Sequence, residues 1–184
     1  MIVLASASPR RRDLMAEAGI GCKIIPSPAE EIHDASLTPR ALTEHNARAK
    51  ARVISDRHPS ATVIGADTLV FIDGDPLGKP RDMEEAEEML QRLVGRTHQV
   101  CTGVCLFRTD PAKCVTFHAI TNVTFHDLSL PEIRAYHAKI DPLDKAGAYA
   151  AQDHGGEIIC ETSGSWTNIV GLPMEELRAQ LAEF

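Results

Sequence analysis

The chain has 184 residues, 43% apolar and 24% charged. This composition excludes a disordered chain and lets one domain, or two closely merged halves, bury about 70% of the unfolded surface. Nineteen basic against 26 acidic residues give a formal charge of -7, which repels polyanions and argues against nonspecific nucleic-acid binding.

Ile2 to Ala5 reads as a short buried strand, and Ser8-Pro9 as an N-cap followed by the first residue of a helix running to about Ala18, with Gly19 as its stop. Arg10, Arg11 and Arg12 then fall in the first helical turn, where cations oppose the positive end of the helix dipole. Free backbone donors, that dipole and guanidinium forks together suit a phosphate chain, although a solvated basic helix start has the same sequence. Cys22 to Ile25 suggests a second strand, and Pro26 to Leu37 an acidic loop. Thr38-Pro39 repeats the cap-plus-proline signal ahead of a long helix ending near His58, with Leu42, Asn46, Ala49 and Val53 on one face.

Thr62 to Ile72 is rich in β-formers and ends in the hairpin-type turn Asp73-Gly74-Asp75. Asp82 caps a helix with Ala86, Met89, Leu90 and Leu93 on one face and Gly95 as its stop. Strand patterns follow at His98 to Phe107 and Cys114 to Phe125, joined through Thr109-Asp110-Pro111, then helices at Ser129 to Lys139 and Pro173 to Phe184. Alternating strands and helices with one hairpin-linked pair predict an α/β fold with a mixed sheet, in a single domain spanning 1–184. The five cysteines form no Cys-x-x-Cys pair and are read as reduced core residues. No stretch approaches ~20 apolar residues and Ile2 to Ala7 is short for a secretory signal, so a cytoplasmic protein without a membrane segment is expected.

Asp67 interrupts the apolar run Val63 to Val70, where a buried carboxylate needs a partner. A metal ion or a polarised water would supply one; exposure at a strand end would remove the need. Glu30 and Glu31, if brought to Asp67, offer oxygen ligands to a hard cation such as Mg²⁺. Lys50 is a single lysine on a helix, whereas Lys79 sits in the rigid turn Gly78-Lys79-Pro80, where a point charge can serve a phosphate. In Asp144 to Gln152, helical spacing would point Tyr149 and Gln152 the same way. Zinc spacing among the eight histidines, a Gly-x-Ser-x-Gly elbow, a Walker loop and a Gly-x-Gly-x-x-Gly turn are all absent.

Five motifs in order, Ser6 to Arg11, Gly65 to Thr68, Gly78 to Pro80, Asp144 to Tyr149 and Gly164 to Pro173, resemble the Maf family of nucleoside triphosphate pyrophosphatases. The resemblance runs from residue 3 to the C-terminus. It implies an elongated fold like that of the inosine triphosphate pyrophosphatases, two lobes around a cleft, a homodimer, and metal-dependent hydrolysis of a nucleoside triphosphate to monophosphate and pyrophosphate. It further implies that Asp67 activates water, that Ser6, Arg10, Arg11, Lys50 and Lys79 bind phosphates, and that Glu31 and Asp67 hold a divalent cation, Mg²⁺ or Mn²⁺. Thr68 and Gln152 resemble the branch acting on dTTP and UTP rather than on 7-methyl-GTP. Two positions depart from the family pattern, Asp153 after Gln152 and Trp166 in place of a tyrosine. A noncatalytic nucleotide-binding regulator of septum formation is the alternative from another class.

Overall fold

A computed structural model describes residues 1–184. Strand β1 (Ile2–Leu4) lies between β2 (Lys23–Ile24) and β3 (Thr62–Ile72), all three parallel, with helices α1 (Pro9–Glu17) and α2 (Pro39–Ser55) as crossovers. Strand β4 (Asp75–Leu77) folds back on β3 through the Asp73-Gly74 turn. Strands β5 (Thr97–Arg108), β6 (Lys113–Phe125) and β7 (Ile159–Ser163) continue the sheet antiparallel. The order is β2-β1-β3-β5-β6-β7 with β4 beside β3, the mixed α/β sheet that the sequence predicts. Helices α3 (Met83–Leu93), α4 (Leu130–His137), α5 (Trp166–Val170) and α6 (Met174–Glu183) complete the fold. No helix is long and apolar enough to cross a membrane.

One edge of β3 is shared by two strands. Strand β1 pairs with its residues 62–64 and β4 with 70–72, while β5 takes the opposite edge from Val63 to Phe71. Residues 65–69 therefore face a gap between β1 and β4, and a cleft opens there. Separate apolar clusters lie beyond its two ends. One joins Leu4, Leu14, Ile64, Val104 and Leu172, the other Val70, Leu90, Val100, Ile133 and Tyr149.

Glycine sets how closely α2 sits on this sheet. A Cβ on Gly65 would stand 2.1 Å from the Ala47 carbonyl oxygen, and one on Gly103 2.4 Å from the Thr43 carbonyl carbon. The helix backbone thus rests directly on β3 and β5, and its buried face is Leu42, Thr43, Asn46, Ala47, Ala51 and Ile54. This corrects the predicted face: Ala49 and Val53 are only half-buried, because small residues fill the narrow contact.

Three further expectations change. Tyr149 and Gln152 do not share a helical face, since Gly147 and Ala148 both take positive φ and Tyr149 is extended. Tyr149 turns into the core while Gln152 is exposed. Cys101 and Cys105 are buried, but Cys114 and Cys160 are exposed rather than core residues. The short elements β4, β7 and α5 have no counterpart in the sequence-based assignment.

Candidate active site

The start of α1 forms one wall of the cleft. Ser8 caps the helix, accepting from the Arg11 N–H, and Pro9 occupies the first turn. Ser6 Oγ accepts from the Ser8 N–H at 3.2 Å and from Arg11 Nη1 at 3.1 Å. Arg11 also donates from Nε to the Gly171 carbonyl and from Nη2 to Thr68 Oγ1, both at 2.9 Å. Burial pulls its pKa below the ordinary arginine value, and Asp67 and Glu31 act in the opposite sense. The expected three-arginine cluster is divided. Arg10 faces Asp144 at 3.9 Å, whereas Arg12 turns outward to Asp13 and takes no part in the cleft.

Thr68 is fixed by the same network. Thr102 donates to the Asn168 carbonyl at 3.0 Å, so in its 2.9 Å bond with Thr68 the Thr68 hydroxyl is the donor. With Arg11 donating to it as well, Thr68 holds the guanidinium, and its proton is not free to read a base edge.

Asp67 stands on the opposite face of β3, 3% exposed, at the gap between β1 and β4. Its burial excludes the exposed-strand-end reading. Oδ1 accepts from Lys50 Nζ at 2.8 Å and Oδ2 from Asn46 Nδ2 at 3.0 Å. Lys50 Nζ also lies 2.6 Å from Glu31 Oε1 and 3.3 Å from the Ala66 carbonyl oxygen. All three ammonium protons have acceptors, so Lys50 binds the two carboxylates to each other.

The far wall comes from the turn after β4 and from residues 144–153. Lys79 Nζ meets Asp144 Oδ1 at 2.6 Å, and the Lys79 partner holds the Asp144 carboxyl below the usual range. The segment behind them is tied to the core. Gly147 N–H donates to the Gly78 carbonyl, and the Tyr136 hydroxyl exchanges hydrogen bonds with the Ala150 carbonyl and N–H. Tyr149 meets His98 Nε2 at 3.0 Å. Burial lowers the His98 pKa to about 4 and raises that of Tyr136 to about 12.

Ser6, Arg10, Arg11, Glu31, Lys50, Asp67, Thr68, Lys79 and Gln152 all line one cleft of about 730 Å³. Asp153 lines it too, while Trp166 lies outside it, half-exposed at the start of α5. Glu30 does not reach it. No group of three or more His, Cys, Asp or Glu side chains is gathered that would cage a metal. Glu31 and Asp67 carry the carboxylate oxygens that a magnesium-type ion prefers, and Lys50 Nζ stands between them at 2.6 and 2.8 Å.

Sequence reasoning missed two contributors. Asn46 was visible as a polar residue on a core-facing helical stripe, which signals a buried partner. Asp144 was visible within its motif, but its pairing with Lys79 spans 65 residues and has no local signature.

A family model described as Maf-like protein matches residues 1–184. The chain is 48% identical over 176 residues to a protein of Akkermansia muciniphila named dTTP/UTP pyrophosphatase, covering 96% of this chain and 92% of the relative. Proteins of the same name from Myxococcus xanthus and Symbiobacterium thermophilum are 46% and 43% identical. These matches cover 98% and 100% of this chain, and 91% and 93% of the relatives.

Proposed function

The chain belongs to the Maf family, and from that premise we propose that it hydrolyses dTTP and UTP to the nucleoside monophosphate and pyrophosphate. One observation carries this reading: a buried carboxylate, Asp67, lies in a cleft whose walls hold Arg10, Arg11 and Lys79. Phosphoryl-type transfer needs positioned cations and an oriented water more than covalent chemistry, and the cleft holds those parts. The relatives' names supply the substrate class.

In this reading Ser6, Arg10, Arg11 and Lys79 hold the polyphosphate. Asp67 accepts the proton of the water that attacks the α-phosphorus, and pyrophosphate departs. A carboxylate placed within hydrogen-bond reach of the attacking water is competent for this. Lys50 keeps the Asp67 and Glu31 carboxylates together despite their like charge. A divalent cation brought with the triphosphate would be held by Glu31 and Asp67. When bound, it would neutralise charge developing on the phosphate oxygens. Gln152, exposed at the rim, offers a donor and an acceptor to the O4 and N3–H edge of uracil or thymine. The family resemblance further supports a cytoplasmic homodimer with no nucleic-acid or membrane partner.

A nucleotide panel with separate pyrophosphate and orthophosphate detection tests the reading. Expected are pyrophosphate as the first product, loss of turnover in excess chelator, good use of dTTP and UTP, less of CTP, and poor use of 7-methyl-GTP. Orthophosphate as the first product overturns the reaction. Faster hydrolysis of 7-methyl-GTP than dTTP overturns the base assignment.

A further inference from the structure

Asn46 lies one helical turn before Lys50 on α2 and is 1% exposed. Its amide is fully engaged. Oδ1 accepts from the Ile32 N–H at 3.0 Å, and Nδ2 donates to the Ile32 carbonyl at 3.1 Å and to Asp67 Oδ2 at 3.0 Å. Residues 26–37 contain no helix or strand. The backbone hydrogen bonds joining this segment to the rest of the chain are the two made to Asn46. Its others stay local, between Ala29 and Ser27, Ser36 and Asp34, and Leu37 and Asp34. The remaining polar tie is the Glu31–Lys50 pair, with the Glu31 side chain 41% exposed, a kind of contact that contributes little alone.

We infer that Asn46 is a positioning residue, a clamp that seats the Glu31-bearing segment and fixes the Asp67 carboxylate with one rigid amide. The inference rests on the proposed role of Asp67 in turnover. An amide needed only for packing would be satisfied by backbone alone; the third bond, to Asp67, sets this one apart. The planar group fixes the spacing between Ile32 and Asp67 Oδ2, and Glu31 is the neighbour of Ile32. The segment and the carboxylate are thereby held in register. Asn46 hydrogen-bonds none of Ser6, Arg10, Arg11 and Lys79 and does not line the cleft, so it acts on the chemical step rather than on nucleotide capture.

Two variants of the full chain separate the parts of this role. Asn46→Leu keeps the branched shape, does not weaken the helix and removes all three bonds. It is expected to lower kcat by about tenfold or more and to leave KM within about threefold, the pattern of an interaction used in the transition state. Exchange of the Ile32 amide hydrogen should rise about tenfold or more, the change expected when its protecting hydrogen bond is lost. Asn46→Asp keeps an acceptor for the Ile32 N–H but removes the donor to both Asp67 and the Ile32 carbonyl and sets a second carboxylate against Asp67; it should lose kcat at least as much. Unchanged kcat in either variant, or a rise in KM alone, overturns the proposal. So does unchanged Ile32 exchange in Asn46→Leu. Absence of pyrophosphate release by the unmodified chain would overturn the functional reading alone, and the exchange comparison would still decide whether Asn46 clamps the segment.

Discussion

Lys50 Nζ lies 2.8 Å from Asp67 Oδ1, with 12% and 4% of the two side chains exposed. A buried charge pair of this kind fixes geometry, and breaking it by removing one partner leaves the other charge uncompensated. Asp67→Asn reduces that penalty, because Lys50 keeps Glu31 and the Ala66 carbonyl as acceptors and only the Asn46 amide loses its acceptor. The variant should remain folded and lose about two orders of magnitude in kcat, the scale of a lost general base. Pyrophosphate release measured beside a circular-dichroism melt checks both parts. Near-normal turnover in a folded variant moves the base elsewhere, with Glu31 the next carboxylate in the cleft.

Arg11 makes three hydrogen bonds, to Ser6, Thr68 and Gly171, from three different nitrogens. A lysine cannot reproduce this fork. Arg11→Lys should therefore lower kcat/KM for dTTP roughly tenfold to a hundredfold, the loss of one charge-assisted bond at about 1.5 to 3 kcal/mol. Arg11→Ala should lose at least as much. Wild-type kinetics in both would leave Arg11 a structural tie between α1, Thr68 and Gly171 with no part in turnover.

Gly65→Ala places a methyl group where the Ala47 carbonyl oxygen already stands, with the Ala51 nitrogen 2.8 Å away. Neither backbone atom can yield without moving α2. The expected cost is about 3 kcal/mol, at the upper end for overpacking, and turnover should fall with it because the same helix carries Asn46 and Lys50. Urea unfolding with a parallel activity assay measures both; a stable and fully active variant would mean that the helix can shift freely.

His98 supplies a pH dependence of stability. Its folded pKa, about 4, lies below the ordinary 6.5 because burial disfavours the imidazolium. The unfolded chain thus binds a proton between these values that the folded chain does not. The stability it contributes is full above about pH 6.5 and is lost as pH falls toward 4, to a total of roughly 3 kcal/mol. Chemical unfolding at pH 7 and pH 4.5 should show a smaller difference in His98→Gln than in the unmodified chain. An equal difference would assign the acid sensitivity to other groups.

Helices α1, α2 and α3 were legible because each opens with a side-chain cap that makes its hydrogen bond, at Ser8, Thr38 and Asp82. Strands β5 and β6 were legible from long runs of β-formers. The elements that escaped are two to four times shorter, and β7 is defined by its register against β6 rather than by a pattern of its own. Facing residues on α2 were misassigned because Gly65 and Gly103, distant in sequence, decide how near the helix comes. The cleft's ionisable residues could be named from their types and motifs. Their partners could not, since the bonds Lys50–Glu31, Asn46–Asp67 and Lys79–Asp144 join separate segments.

The ladder between β3 and β5 runs without interruption from Val63↔Phe107 to Phe71↔Gln99. It passes from the apolar cluster behind one wall of the cleft to the cluster behind the other. The walls are therefore not two bodies on a flexible joint. A wide hinge motion would have to break central sheet pairing, among the most costly openings available to a folded chain. Admission of a ligand falls instead to side chains and to irregular segments such as residues 26–37, and the amplitude of opening is limited to the gentle twisting that a continuous pair of strands allows.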